Sequence, residues 1–118
     1  MSEKVYGICG TNKCRKEVIP KENVIEVLFP STKITSSSLI QRFDGLASGI
    51  SKNDHVIAIM VKSPSSDNYW SLYPKIDSNY ALNASVGNNI VFLYGKLTDT
   101  TSGLTSVTLD VKVIIGKL

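Results

Sequence analysis

Cys9 and Cys14 flank the turn-forming run Gly10-Thr11-Asn12-Lys13, and Lys13, Arg15 and Lys16 give the same stretch the densest positive charge in the chain. Thiolates on either side of a tight turn are how zinc ribbons begin. A tetrahedral site takes four ligands, however, and the chain has two cysteines and one histidine, so no metal site is expected. The same pair can close a disulfide across a hairpin. The Met-Ser-Glu-Lys start lacks the apolar stretch of a secretory leader, which predicts synthesis in a reducing cytoplasm. Two free thiols are then the first reading, and a Cys9–Cys14 disulfide the second.

His55 follows Asp54 at the head of an apolar run, with Ser51 and Ser63 near in sequence. Adjacent residues on a strand point to opposite faces, so Asp54 is badly placed to orient His55 as a hydrolytic triad would require. The acidic residues are scattered singly, which does not suggest a glycosidase pair. Neither Gly-x-x-x-x-Gly-Lys-Ser/Thr nor Gly-x-Gly-x-x-Gly occurs. No catalytic residue and no cofactor is assigned, and the chain is expected not to be an enzyme.

Tyr69, Trp70, Tyr73 and Tyr80 are the remaining cluster with chemical reach. Aromatic rings stack on sugar faces and on unpaired bases, which makes Tyr69, Tyr73 and Tyr80 candidate ligand-binding residues. Flanked by Lys62 and Lys75 they suit an OB-like or lectin-like module for single-stranded nucleic acid or glycan. Core and rim packing is the competing reading. Charge weighs against nucleic acid: of 13 basic and 10 acidic residues, residues 1–24 hold five and three, leaving eight against seven over the rest. A body so near neutrality offers no basic groove.

The elements that position these residues read mainly as strands. Lys4 to Val18 is expected as a hairpin, ended by Pro20, which has no N–H for a ladder. Lys21 to Phe29 fits either a short strand or one to two helical turns, closed by Pro30. Leu39, Ile40, Phe43, Leu46 and Ala47 recur at spacings of three and four, which predicts one short amphipathic helix over about residues 37–48. Val56 to Val61 is apolar on both alternating faces. In Asn68 to Pro74 the alternation sends Trp70 and Leu72 toward a core and the tyrosines toward water. Tyr80 to Val86 is a further strand, followed by a turn at Gly87-Asn88-Asn89. Ile90 to Thr98 and Leu104 to Lys117 read as the two arms of a hairpin, joined by Asp99 to Gly103. Val107, Leu109, Val111, Val113 and Ile115 share one face of the second arm, with Thr108, Asp110 and Lys112 opposite.

These readings predict an antiparallel β-sandwich or jelly-roll-like domain over residues 23–118, preceded by a basic hairpin arm over residues 1–22. A chain of 118 residues has one core to offer. Two-sided apolar strands at Val56 to Val61 and Ile90 to Tyr94 therefore predict a second copy covering part of the surface. No run approaches the roughly 18 apolar residues of a membrane span, so no membrane partner is expected.

The opening Lys4-Val5-Tyr6-Gly7-Ile8-Cys9-Gly10-Thr11-Asn12-Lys13-Cys14-Arg15-Lys16-Glu17-Val18 resembles the N-terminal segment of some small tail- or fibre-associated structural proteins of bacteriophages. In those a Tyr-Gly-Ile start leads into a basic Lys-Cys stretch ending in Val. The likeness covers these 15 residues and stops at Ile19-Pro20-Lys21-Glu22-Asn23, where such fibres often continue Tyr-Thr-Lys-x-Glu; a coiled or repetitive shaft is also missing. The resemblance implies a virion component, made in the host cytoplasm, whose arm attaches through Lys13, Arg15 and Lys16 to other virion proteins. It implies a homo-oligomer, a trimer first, with a β domain projecting outward to contact the host surface or its glycans.

Overall fold

The computed structural model describes residues 23–65, 69–76, 78–98 and 103–117. Cys9, Cys14, Lys13, Arg15, Lys16 and the arm boundary at residue 22 lie outside them. The described chain is mainly β: β1 (Val24–Ile34), β2 (Gln41–Leu46), β3 (His55–Lys62), β4 (Ser71–Leu72), β5 (Tyr80–Gly87), β6 (Ile90–Leu97) and β7 (Val107–Gly116). They form two antiparallel sheets, a four-stranded one in the order β1-β7-β3-β4 and a three-stranded one in the order β2-β6-β5.

The sandwich follows from period-two alternation in its two central strands. Leu109, Val111, Val113 and Ile115 point from β7 into the interior, and Val91, Leu93 and Leu97 point at them from β6. Val27, Phe29 and Ile34 from β1, Ile59 and Val61 from β3, and Leu82 from β5 complete the core. One close approach fixes how the sheets meet at the β1–β2 side. A Cβ on Gly45 would lie 2.7 Å from Phe29 Cζ, so only glycine lets β2 cross over that ring.

Three expectations are corrected. Residues 37–48 form no helix: 37–39 are a bend and β2 occupies Gln41–Leu46, alternating Phe43 and Gly45 inward with Arg42, Asp44 and Leu46 outward. Spacings of three and four mimicked a helix face because Leu39, Ile40 and Leu46 are exposed and contribute nothing to the core. Glycine at position 45 also disfavours helix intrinsically.

β6 and β7 do not pair as a hairpin; the chain passes from one sheet to the other between them. Both strands carry an apolar face, and stacking those faces across the core covers each with the other. Side by side in one sheet they would face the same way.

Pro30 does not end β1. The β1–β7 register shifts between Phe29 and Thr32, and this bulge takes the residue without an N–H out of the ladder. Ser31 adopts φ 48° there, and the buried Thr32 hydroxyl donates to the Phe29 carbonyl at 3.0 Å.

Candidate functional site

Because odd-numbered residues of β7 from Leu109 to Ile115 fill the core, Asp110, Lys112 and Ile114 stand on the outer face of the four-stranded sheet. Register then sets their neighbours. Lys112 lies between Leu28 of β1 and Met60 of β3, and Met60 in turn pairs with Leu72 of β4. In the next row Ile114 lies between Glu26 and Ala58. The result is a mixed face, with Lys112 standing between apolar neighbours, on which Leu28 is 53% and Leu72 61% exposed.

A second bulge, between Val56 and Ala58, extends this surface. It turns Ile57 outward at 50% exposure, and Ile57 leans over Gly116, where a Cβ would come within 2.8 Å of its Cδ1. Charge is set among these apolar side chains in pairs. Lys62 meets Asp110 at 3.1 Å and Lys112 meets Glu26 at 3.7 Å, while both ammonium groups stand over the Trp70 ring, at 5.5 and 4.4 Å. Trp70 is therefore a cation-capped surface ring and Leu72 is exposed, the reverse of the expected core placement. β4 is only two residues long, and the chain leaves it at Tyr73, whose ring packs against the core instead.

Asp110 is the electrostatic knot of the face. Its Oδ1 accepts the Ser31 N–H at 2.8 Å, inside the β1 bulge, and Oδ2 takes Lys62. The Ser31 N–H, followed by Lys62, holds the Asp110 carboxyl below its ordinary range.

The candidate tyrosines do not share an exposed face. Tyr73 and Tyr80 stack with centroids 6.1 Å apart, and the Tyr73 hydroxyl accepts the Leu82 N–H at 2.9 Å. Tyr73 thus straps the edge of one sheet to the edge of the other, since its own N–H donates to the Ile59 carbonyl. Tyr80 is 8% exposed, and burial, with Tyr73 beside it, pushes its phenol above the ordinary value. Only Tyr69 of the three stands free, at 76% exposure. Lys62 and Lys75 are brought together with Tyr80 around a hollow of about 330 Å³.

Asp54 and His55 part as alternation requires. The buried Asp54 carboxylate accepts the Ser51 N–H at 2.8 Å and Lys117 Nζ at 2.7 Å, while His55 is exposed over Gly116. Lys117 Nζ also donates to the Gly49 carbonyl. This cluster pins the loop between β2 and β3 to the end of β7.

Sheet edges are blunted by side chains. On β5 the Leu82 and Ala84 N–H groups are taken by the Tyr73 hydroxyl and the Asn83 amide oxygen. On β1 the bulge with Pro30 interrupts the edge. Such devices discourage strand-to-strand addition along β5 and β1. The sequence signal for the outer face was the Asp110 and Lys112 alternation in β7. What was missing was the register that sets Leu28, Met60 and Leu72 beside it.

No protein-family model, curated protein or solved structure matches this chain.

Proposed function

We propose that this protein is a non-enzymatic structural component of a bacteriophage particle, located in the virion, which associates with copies of itself through the outer face of the four-stranded sheet. The observation that carries the reading is the exposure of Leu28, Ile57 and Leu72 on the face that also carries Met60 and Ile114, in a sheet whose β1 edge is interrupted by a bulge. Large apolar side chains left exposed on one face, here interleaved with paired charges, suit a protein contact. The paired charges Lys62–Asp110 and Lys112–Glu26 carry both signs, so the face can meet a copy of itself without like-charge repulsion. The virion role is supported by the resemblance of residues 4–18, and Lys13, Arg15 and Lys16 are its attachment residues. The trimer rests on the resemblance of residues 4–18 alone, since pairing of this face with itself closes a dimer.

Sedimentation equilibrium tests the self-association. The wild-type chain is expected to run as an oligomer and Leu72→Glu as a folded monomer; a wild-type chain that is monomeric at high concentration ends this part of the proposal. Mass spectrometry of purified phage particles tests the rest. The chain should be present in stoichiometric amount and lost from particles on deletion of residues 1–20, and its absence from wild-type particles refutes the virion role.

A further inference from the structure

The opposite face of the sandwich carries a site of a different kind. On the outer side of the three-stranded sheet, Ala81, Asn83, Tyr94 and Lys96 surround a hollow of about 350 Å³. The ladder explains it. Asn83 pairs directly with Tyr94 and Ala81 with Lys96, so one small side chain sits among three long ones. Ile40, 66% exposed, walls the hollow from the β1–β2 connection, and Leu82 and the Gly95 backbone form its floor.

The polar groups at the rim can all donate. The Asn83 amide oxygen is engaged by the Ala84 N–H at 2.9 Å, which turns its NH₂ outward. Lys96 supplies an ammonium, and the Tyr94 hydroxyl adds a further donor. Among the described residues neither Lys96, the Asn83 NH₂ nor the Tyr94 hydroxyl has a partner. The neighbouring cation is already committed: Arg42 pairs with Asp44 at 3.0 Å and lies over Phe92 at 5.2 Å.

A donor-rich rim around an apolar floor and a phenol ring selects a ligand with two properties. It must present a flat apolar face to Tyr94 and a cluster of acceptors to Lys96 and Asn83. We infer that this hollow binds a carboxylate-bearing sugar ring, of the uronic or sialic acid type. One CH face of a pyranose stacks on an aromatic ring, and a carboxylate takes charge-assisted hydrogen bonds from ammonium and amide donors. The volume lies at the small end of ligand sites, which run from roughly 300 to 1,000 Å³. A nucleic acid strand would need several cations along its path, and one stands here. The inference does not rest on the assembly role, because it uses the other sheet.

Titration of the amide ¹⁵N–¹H spectrum of the whole chain with sodium glucuronate, glucose and sodium acetate tests it. Glucuronate is expected to shift the amides of residues 81–83 and 94–96 saturably, with Kd on the order of 1 mM, and glucose and acetate each to bind about tenfold more weakly. Lys96→Gln should reduce glucuronate to the level of glucose. Tyr94→Ala should weaken both sugars, while Tyr94→Phe should retain the stacking. Ala81→Gln, on the surface, fills the hollow and should abolish binding even where Tyr94→Ala loses spectral dispersion. Acetate binding as well as glucuronate, glucuronate affinity unchanged in Lys96→Gln or Ala81→Gln, or saturable shifts only outside these strands would overturn the inference. So would no response to glucuronate alongside saturable binding of a Glu-rich peptide at the same amides.

Discussion

The Asp110 carboxylate accepts the Ser31 N–H at 2.8 Å and so fastens the bulge of edge strand β1 to the middle of β7, with Lys62 of β3 on its other oxygen. Three adjacent strands are joined through one side chain. The bulge needs that tie, because Ser31 holds φ 48°, a conformation L residues other than Asn and Asp adopt reluctantly.

Asp110 should shape the acid limb of stability. Its carboxyl is held below the ordinary value of 3.8, first by the Ser31 N–H and then by Lys62. A depressed folded pKa gives stability that is present above the unfolded value and lost as pH falls through the folded one. Urea unfolding followed from about pH 5 to about pH 2 should show a shallower decline in Asp110→Asn than in wild type. Equal slopes would assign the acid limb elsewhere.

Tyr73→Phe keeps the stack on Tyr80 and removes the acceptor of the Leu82 N–H. A part-buried donor left unpaired costs about 1–2 kcal/mol, measurable as a lower denaturant midpoint at unchanged slope. Hydrogen exchange at the Leu82 amide should accelerate most. A loss spread evenly over both sheets would show that the hydroxyl does not act locally.

Tyr80 should set part of the alkaline limb. Burial, with Tyr73 second, raises its phenol above the ordinary value of 10.0. Its contribution is then full below the unfolded value and is lost as pH rises through the folded one. Absorbance at the phenolate band should show a step above the ordinary phenol value, and Tyr80→Phe should remove that late step.

Lys117→Ala leaves the Asp54 carboxylate, whose side chain is 3% exposed, without its nearest cation. Loss of a charge-assisted hydrogen bond of this kind costs about 2 kcal/mol. Thermal unfolding should register it, and His55→Ala beside it should be close to neutral because His55 is exposed. A large effect of His55→Ala with none for Lys117→Ala would invert the assignment.

The fold class was legible where one strand face is wholly buried. Leu109, Val111, Val113 and Ile115 declared β7 because their side of the strand is buried, with Val107 partly buried at its start. β2 was illegible for the opposite reason: only Phe43 and Gly45 of its inward positions pack, and exposed Leu39, Ile40 and Leu46 supplied a false helical period. Trp70 was misread because its cover is two lysines from other strands, which no local pattern reveals. The hollow at Ala81 was likewise hidden, since a small residue marks a cavity only once its cross-strand partner Lys96 is known.

The place of β7 between β1 and β3 has a consequence for how the chain acquires its structure. Every long pairing of the four-stranded sheet waits for β7, the last of the described strands, so during synthesis β1 leaves the ribosome without its partner and β3 has only the two-residue β4 to pair with. The β5–β6 hairpin, closed by a two-residue turn, can form within microseconds of emerging. The larger sheet closes only through contacts distant in sequence, which are slow. Misassembly is most dangerous in that interval, when the strands that will build the larger sheet are open-edged and apolar, and a chaperone that holds β1 and β3 until β7 arrives would raise the yield of native protein.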